Sequence, residues 1–199
     1  MDERGYITFE LRWIKGAPPE NALIAELDFW RTRCYDEGLI GQEPTGIGYG
    51  NVSVRIQGAR RFVVSGTQTG QHRRLSASQY AKVLDWCIDD NHVVAIGAIA
   101  ASSETLSHAA VYSADGRIRA VIHAHSKRLW EHLRDRIPTT HPRAVAGSPE
   151  IAREIQRLVP EALKGGRVIV MGGHANGLIA FGTSPAIAAE ALLSLGRSV

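Results

Sequence analysis

Two histidines spaced two apart stand in the run Val121-Ile122-His123-Ala124-His125. The apolar and small residues around them predict a strand, where residues i and i+2 share a face. Both imidazoles then stand side by side. A third histidine, His174, follows Met171-Gly172-Gly173, just beyond the β-rich run Val168-Ile169-Val170. The two glycines permit close backbone packing there. Three convergent neutral imidazoles with an open position form a recurrent catalytic zinc pattern. The alternative for His123 and His125 is two strand histidines held in ordinary hydrogen bonds.

Glu104 is the one acid in a small-residue, apolar neighbourhood that begins at Ala98. An acid placed there suits proton transfer. Ser102-Ser103-Glu104 equally suits a helix start, with a capping serine and an acid in the first turn. Three polar loops flank expected strands: around Asn51, around Thr69-Gly70, and at Ser102-Ser103. Each offers backbone N–H groups and short hydroxyl or amide side chains. Those are the donors that a phosphate or carboxylate needs from a neutral anion site. Taken singly, each loop also reads as an ordinary turn.

The elements that must position these groups follow from periodicity. Alternation over Tyr6 to Ile14 predicts an N-terminal strand. Pro18-Pro19-Glu20 opens a helix with the buried stripe Leu23, Leu27, Trp30 and Cys34, and Gly38 stops it. The glycine-rich loop Gly46 to Asn51 precedes a half-buried strand carrying Val52, Val54 and Ile56. Arg61 to Ser65 is another strand, with Gly58 in the turn between them. Beyond the loop Ser65 to Gly70, Ser76 or Ser78 is expected to cap a helix carrying Tyr80, Val83, Leu84, Cys87 and Ile88. Val93 to Ile96 read as a strand, and a short helix follows Glu104 through Tyr112. Ile118 to His125 form the histidine strand, and Ser148-Pro149-Glu150 and Ser184-Pro185 start the last two helices. Tight connections near residues 58 and 174 favour a mixed or antiparallel sheet. The expectation is one α/β domain over residues 1–199 with helices on both faces of the sheet.

Composition narrows the function classes. The chain has 199 residues, 44% apolar and 22% charged, which suits one soluble domain with a sizeable core. The formal net charge is +3, and doublets such as Arg60-Arg61 and Arg73-Arg74 do not form a basic block, so no nucleic-acid partner is expected. Cys34 and Cys87, both in helical patterns, make no disulfide framework and fit a reducing compartment. Neither a signal-peptide pattern nor a bilayer-spanning apolar run appears. The expected location is the cytoplasm, with no membrane partner.

The motifs in series resemble one family. They are Gly50-Asn51-Val52-Ser53, then Ser65-Gly66-Thr67-Gln68-Thr69-Gly70, then Ser102-Ser103-Glu104 with His108 and Tyr112. His123-Ala124-His125-Ser126 and Gly172-Gly173-His174 with Gly177-Leu178-Ile179 follow. Order and approximate spacing from about residue 21 onward resemble the class II aldolase/adducin family. That resemblance implies a three-layer α/β/α fold with a central mixed or antiparallel sheet. It implies a homotetramer with active sites at subunit interfaces. It also implies a divalent metal, usually zinc, on His123, His125 and His174. Glu104 would occupy the metal at rest and act as acid/base once substrate displaces it. Asn51, Thr69, Gly70, Ser102 and Ser103 would hold the substrate phosphate.

Departures from the family pattern bear on the chemistry. Ala175-Asn176 intervene between His174 and Gly177, and Thr105-Leu106 follow Glu104 where the family has a proline or aromatic nearby. The segment from His125 to Gly147 is short and lacks the tyrosine that serves the fuculose aldolase as proton donor. No tail after Val199 brings a second tyrosine, so His108, His141 and Arg143 are the candidate substitutes. The expected activity is a metal-dependent lyase of aldolase type. Its substrate is a small phosphorylated ketose or related hydroxy-carbonyl compound, cleaved through a zinc-stabilised enediolate. A dehydratase or epimerase of sugar phosphates is the alternative on the same scaffold. A non-catalytic adducin-like assembly domain is the alternative from another class.

Overall fold

Val121, Ile122 and Ala124 have no exposed surface, so apolar residues on both faces of their strand need a packed layer on each side. The computed structural model, which describes residues 8–58 and 60–198, supplies both layers. In chain order the elements begin with β1 (Glu10–Lys15), α1 (Asn21–Asp36), β2 (Gly41–Gln42), β3 (Gly48–Tyr49), β4 (Asn51–Arg55) and β5 (Phe62–Ser65). A 3-10 turn (Ala77–Gln79) leads to β6 (Tyr80–Cys87), β7 (His92–Gly97), α2 (Thr105–Ala114), β8 (Ala120–His125) and α3 (Lys127–Leu133). The chain continues through α4 (Pro149–Lys164), β9 (Val168–Val170), β10 (Gly177–Gly182) and α5 (Pro185–Ser198).

Among the described residues the main sheet has eight strands in the order β1-β7-β6-β5-β4-β8-β10-β9, and β2 and β3 form a separate ribbon. β1 runs parallel to β7, and the other pairings are antiparallel. The sheet is therefore mixed, as the tight connections suggested. Helices α2 and α4 cover one face through residues such as Leu106, Val111, Ile151 and Ile155. Helices α1, α3 and α5 cover the other through Ile24, Leu27, Leu129 and Leu192. This is the three-layer α/β/α arrangement.

Some elements differ from the sequence reading. The expected loop Gly46 to Asn51 contains β3, paired to β2, and the first residue of β4, because its glycines still permit ladder pairing. Tyr80 to Cys87, expected as a helix, is the strand β6. A β-bulge between Val83 and Asp85 shifts the register, so Ala81, Val83 and Trp86 all reach the same core. The bulge puts two residues, Leu84 and Asp85, between Val83 and Trp86, an i, i+3 spacing that imitates a helix. The capping signal was real but local: the Gln79 side-chain oxygen accepts from the Ser76 N–H at 3.0 Å and closes the 3-10 turn. Cys87 accordingly lies on a strand, Cys34 lies on α1, and both are free thiols. The N-terminal strand begins at Glu10, while Tyr6 and Ile7 of the expected strand lie outside the described residues. Helix α3 had no counterpart in the sequence reading.

Strand register and one glycine pair place the histidines. Asn51 of β4 pairs with His123 of β8, and His123 pairs on its other side with Ile179 of β10. The odd-numbered residues Val121, His123 and His125 thus face the α2/α4 layer, where Val121 joins the core. The hairpin between β9 and β10 carries His174. A Cβ on Gly173 would meet the carbonyl oxygens of Ala144 and Pro142, the latter at 3.0 Å, and one on Gly172 would meet that of Thr140. The glycines let residues 140–144 lie directly against the backbone that leads to His174. Gly173→Ala must push that backbone apart. It should lower stability by about 1–3 kcal/mol, the usual cost of overpacking a tight contact. Urea midpoints measure this, and equal midpoints would show that the contact yields without cost.

Candidate metal and anion site

The three histidines converge. One ring nitrogen from each of His123, His125 and His174 lies within 4.8 Å of the other two. The Nε2 atoms of His123 and His125 are 3.1 Å apart. Two ligands on one tetrahedral zinc, each about 2.0–2.1 Å from the ion, would stand about 3.4 Å apart, so this pair is already near ligand spacing. The buried His123 points Nδ1 at the Leu178 carbonyl oxygen, 3.0 Å away. A carbonyl only accepts, so Nδ1 carries the proton and the Nε2 lone pair faces the cluster. Burial, and next the nearby His174, push the His123 pKa down to about 4, which keeps the ring neutral as a metal ligand requires. His125 is stacked on Tyr49, with ring centroids 5.2 Å apart and planes 16° from parallel.

His174 keeps its place despite the extra Ala175-Asn176. Asn176 adopts φ 67°, a left-handed turn that asparagine tolerates, and the Gly177 N–H donates to the His174 carbonyl at 2.9 Å. The added residues are absorbed in the turn. Glu104 stands at the start of α2, but its side chain makes no capping bond. One carboxylate oxygen instead lies 3.5 Å from His174 Nδ1, and the other accepts from the Ser107 hydroxyl at 2.6 Å. Glu104 thus stands at the helix start, as read, with its carboxylate turned to His174 and Ser107.

Asn51, Thr69, Gly70, Ser102 and Ser103 all line one cavity, together with Thr67 and Gln68. Two loops are knit to form it: Gly66 bridges Ala101, and the Thr67 N–H donates to the Ala100 carbonyl at 3.0 Å. Sequence reasoning missed Arg31. It is fully buried on α1 and donates to the carbonyls of Thr69 at 2.9 Å and Arg73 at 3.2 Å. Burial lowers its pKa, yet a guanidinium keeps its charge. A fixed positive charge therefore sits behind the Thr69 loop. The sequence signal was an arginine at a position where the helix has to be buried.

The candidate substitutes for a second proton donor separate. His108 is fully buried, with Ser53 Oγ at 2.7 Å from Nδ1 and Asn51 Oδ1 at 2.6 Å from Nε2. Both nitrogens are committed inside the fold. His141 and Arg143 are exposed, and His141 Nδ1 accepts from the Arg143 backbone N–H.

A model of the family described as Class II Aldolase and Adducin N-terminal domain matches residues 42–199. The chain belongs to the class II aldolase and adducin family. Among curated proteins none matches. Solved structures of class II aldolases share its architecture. L-fuculose-1-phosphate aldolase from Thermus thermophilus superposes with a TM-score of 0.63 at 22% identity, covering 90% of this chain and 91% of that one. The sugar-phosphate aldolase from Thermotoga maritima gives 0.68 at 15% identity, covering 89% and 92%. YgbL from Klebsiella pneumoniae, described as a candidate aldolase/epimerase/decarboxylase, gives 0.65 at 17% identity, covering 89% and 86%. At these identities the likeness is one of fold. Class II aldolases are generally dependent on a divalent metal, and this family member offers a three-histidine cluster for one.

Burial also sets an acid response. His108 is pushed from 6.5 down to about 3, first by desolvation and then by His123. It stays neutral in the fold while the unfolded chain takes up a proton near 6.5. Stability is therefore fully retained above that value and falls as pH drops from it toward about 3. The slope should approach about 1.4 kcal/mol per pH unit for this histidine. Urea midpoints of metal-free protein should fall between about pH 7 and about pH 5, and fall less in His108→Gln. Identical slopes in the two proteins would assign the acid response elsewhere.

Proposed function

We propose that the protein is a metal-dependent lyase of aldolase type acting on a small phosphorylated ketose or a related hydroxy-carbonyl compound. The observation that carries this reading is the continuity of Ser102, Ser103 and Glu104. The two serines line the anion cavity, and the next residue turns its carboxylate to the histidine cluster. A phosphate in the cavity then leaves the carbons of the same molecule beside Glu104.

His123, His125 and His174 would hold the ion, taken as zinc from the nitrogen donor set. When bound, such an ion would supply Lewis acidity to adjacent carbonyl and hydroxyl oxygens. The remaining work falls to the chain. Asn51, Thr69, Gly70, Ser102 and Ser103 would bind the phosphate through amide, hydroxyl and backbone donors, with the Arg31 charge behind them. Glu104 would take or return the proton, and the Ser107 hydroxyl would hold its carboxylate in place. The same residues would serve a dehydratase or epimerase of sugar phosphates, a reading that the likeness to YgbL supports. A non-catalytic assembly domain needs neither the histidines nor Glu104. Two free thiols support a reducing, cytoplasmic setting, and no helix among the described residues is long and apolar enough to cross a membrane.

The test combines a base variant with a ligand variant, after a screen of sugar phosphates for carbonyl release. Glu104→Gln should keep the thermal midpoint and metal content while reducing turnover by roughly two to four orders of magnitude. His123→Ala should lose metal. Turnover within a few-fold of wild type in Glu104→Gln, or full metal content in His123→Ala, would remove the proposed roles.

We also propose a homotetramer with active sites at subunit interfaces. It is supported by family membership and by the edge strand β1, which leaves Trp13 and Ile14 exposed. Light scattering should give about four times the chain mass. A metal-loaded monomer at micromolar concentration would rule the assembly out.

A further inference from the structure

This inference rests on the anion-binding role proposed above for the cavity at Asn51. An asparagine amide can turn either its oxygen or its NH2 group into a cavity. At Asn51 the buried network behind it decides which. The Tyr112 hydroxyl lies 2.8 Å from Ser53 Oγ, and burial raises its pKa and keeps it protonated. Among the described residues, Ser53 Oγ is the hydrogen-bond partner seen for that phenol, so the phenol O–H donates to Ser53. The Ser53 proton then goes to His108 Nδ1, 2.7 Å away. With Nδ1 accepting, the imidazole proton sits on Nε2, which donates to Asn51 Oδ1 at 2.6 Å. The amide oxygen is thereby engaged at the back, and the NH2 group is left for the cavity.

We propose that Tyr112, Ser53 and His108 are positioning residues that fix the Asn51 amide with its donors toward the cavity, so that this wall selects an anionic oxygen and rejects groups that must donate. The polarity of the relay starts at Tyr112, whose hydroxyl has one acceptor among the described residues. It is handed on through Ser53 and one imidazole tautomer. A neutral His108 agrees with burial, which pushes its pKa down to about 3. The same chain of bonds ties β4 to α2, on which Glu104 begins. Arg55 closes the far end, with its guanidinium 4.7 Å from the Tyr112 ring centroid.

The probe is inorganic phosphate, titrated calorimetrically into the metal-loaded protein. His108→Leu removes the donor, whereas His108→Gln keeps an amide N–H near the position of Nε2. Binding should weaken about ten-fold or more in His108→Leu and stay within about three-fold in His108→Gln, since a donor to a charged ligand is at stake. Thermal midpoint and metal content should be retained in His108→Gln. If His108→Leu does not fold, Ser53→Ala carries the test: it frees the tautomer and should weaken phosphate several-fold with metal content intact. Nitrogen-15 spectra of the wild-type imidazoles, with His108 assigned from its absence in His108→Gln, should place the proton on Nε2. Unchanged phosphate binding in the folded variants, equal weakening by Leu and Gln, or a proton on Nδ1 overturns the relay. A wild-type protein that has the Nε2 tautomer but binds no phosphate overturns the anion-cavity reading itself, and the selective role with it.

Discussion

The antiparallel register of β8 between β4 and β10 is the constraint on which the site depends. A slip of one residue would turn His123 and His125 to the α1/α5 face and bring Ile122 and Ala124 to the cluster. The slip is resisted because both faces of β8 are packed. Val121 and Ile122 lie in different cores, and each would enter the wrong one. The same register sets Asn51 opposite His123, so the proposed anion wall and the histidine cluster are neighbours by backbone pairing. It also brings the Leu178 carbonyl to His123 Nδ1, which fixes the tautomer that the cluster needs.

The second organising feature is where α2 begins. Ser102 and Ser103 end a loop stitched to the Gly66–Gly70 loop, and Glu104 opens the helix. Short residues are required up to this point because two loops and a cavity share little space. A carboxylate follows directly because the helix turns the chain toward the histidines. Tyr112, two turns later on the same helix, reaches back to Ser53. One rigid element thus references the anion wall, the carboxylate and the sheet to one another.

Much of this was legible in the sequence. His123-Ala124-His125 declares its shared face through period-two alternation, and Gly172-Gly173 declares a close backbone approach. Gly38 ends α1 with φ 70°, as a helix stop should. Asn51, Thr69, Gly70, Ser102 and Ser103 were singled out through their motifs, and they line one cavity. Other features were hidden for physical reasons. The bulge in β6 imitates a helical repeat, so local periodicity misled there. Arg31 and His108 look like surface residues by type, and their burial depends on bonds to residues 38 and 55 positions away. Tyr49 stacks on His125 through a turn that no residue pattern announces.

The bond from Arg31 to Thr69 also bears on how such a cavity is inherited. The glycine- and hydroxyl-rich loop gets its shape from α1, which lies 38 residues earlier in the chain. Transplanting Ser65 to Gly70 alone onto another strand–turn would carry the donors without the cation that orders their carbonyls. Recombination between homologues is therefore tolerable at points that keep α1 and this loop from one parent, and disruptive at points that separate them.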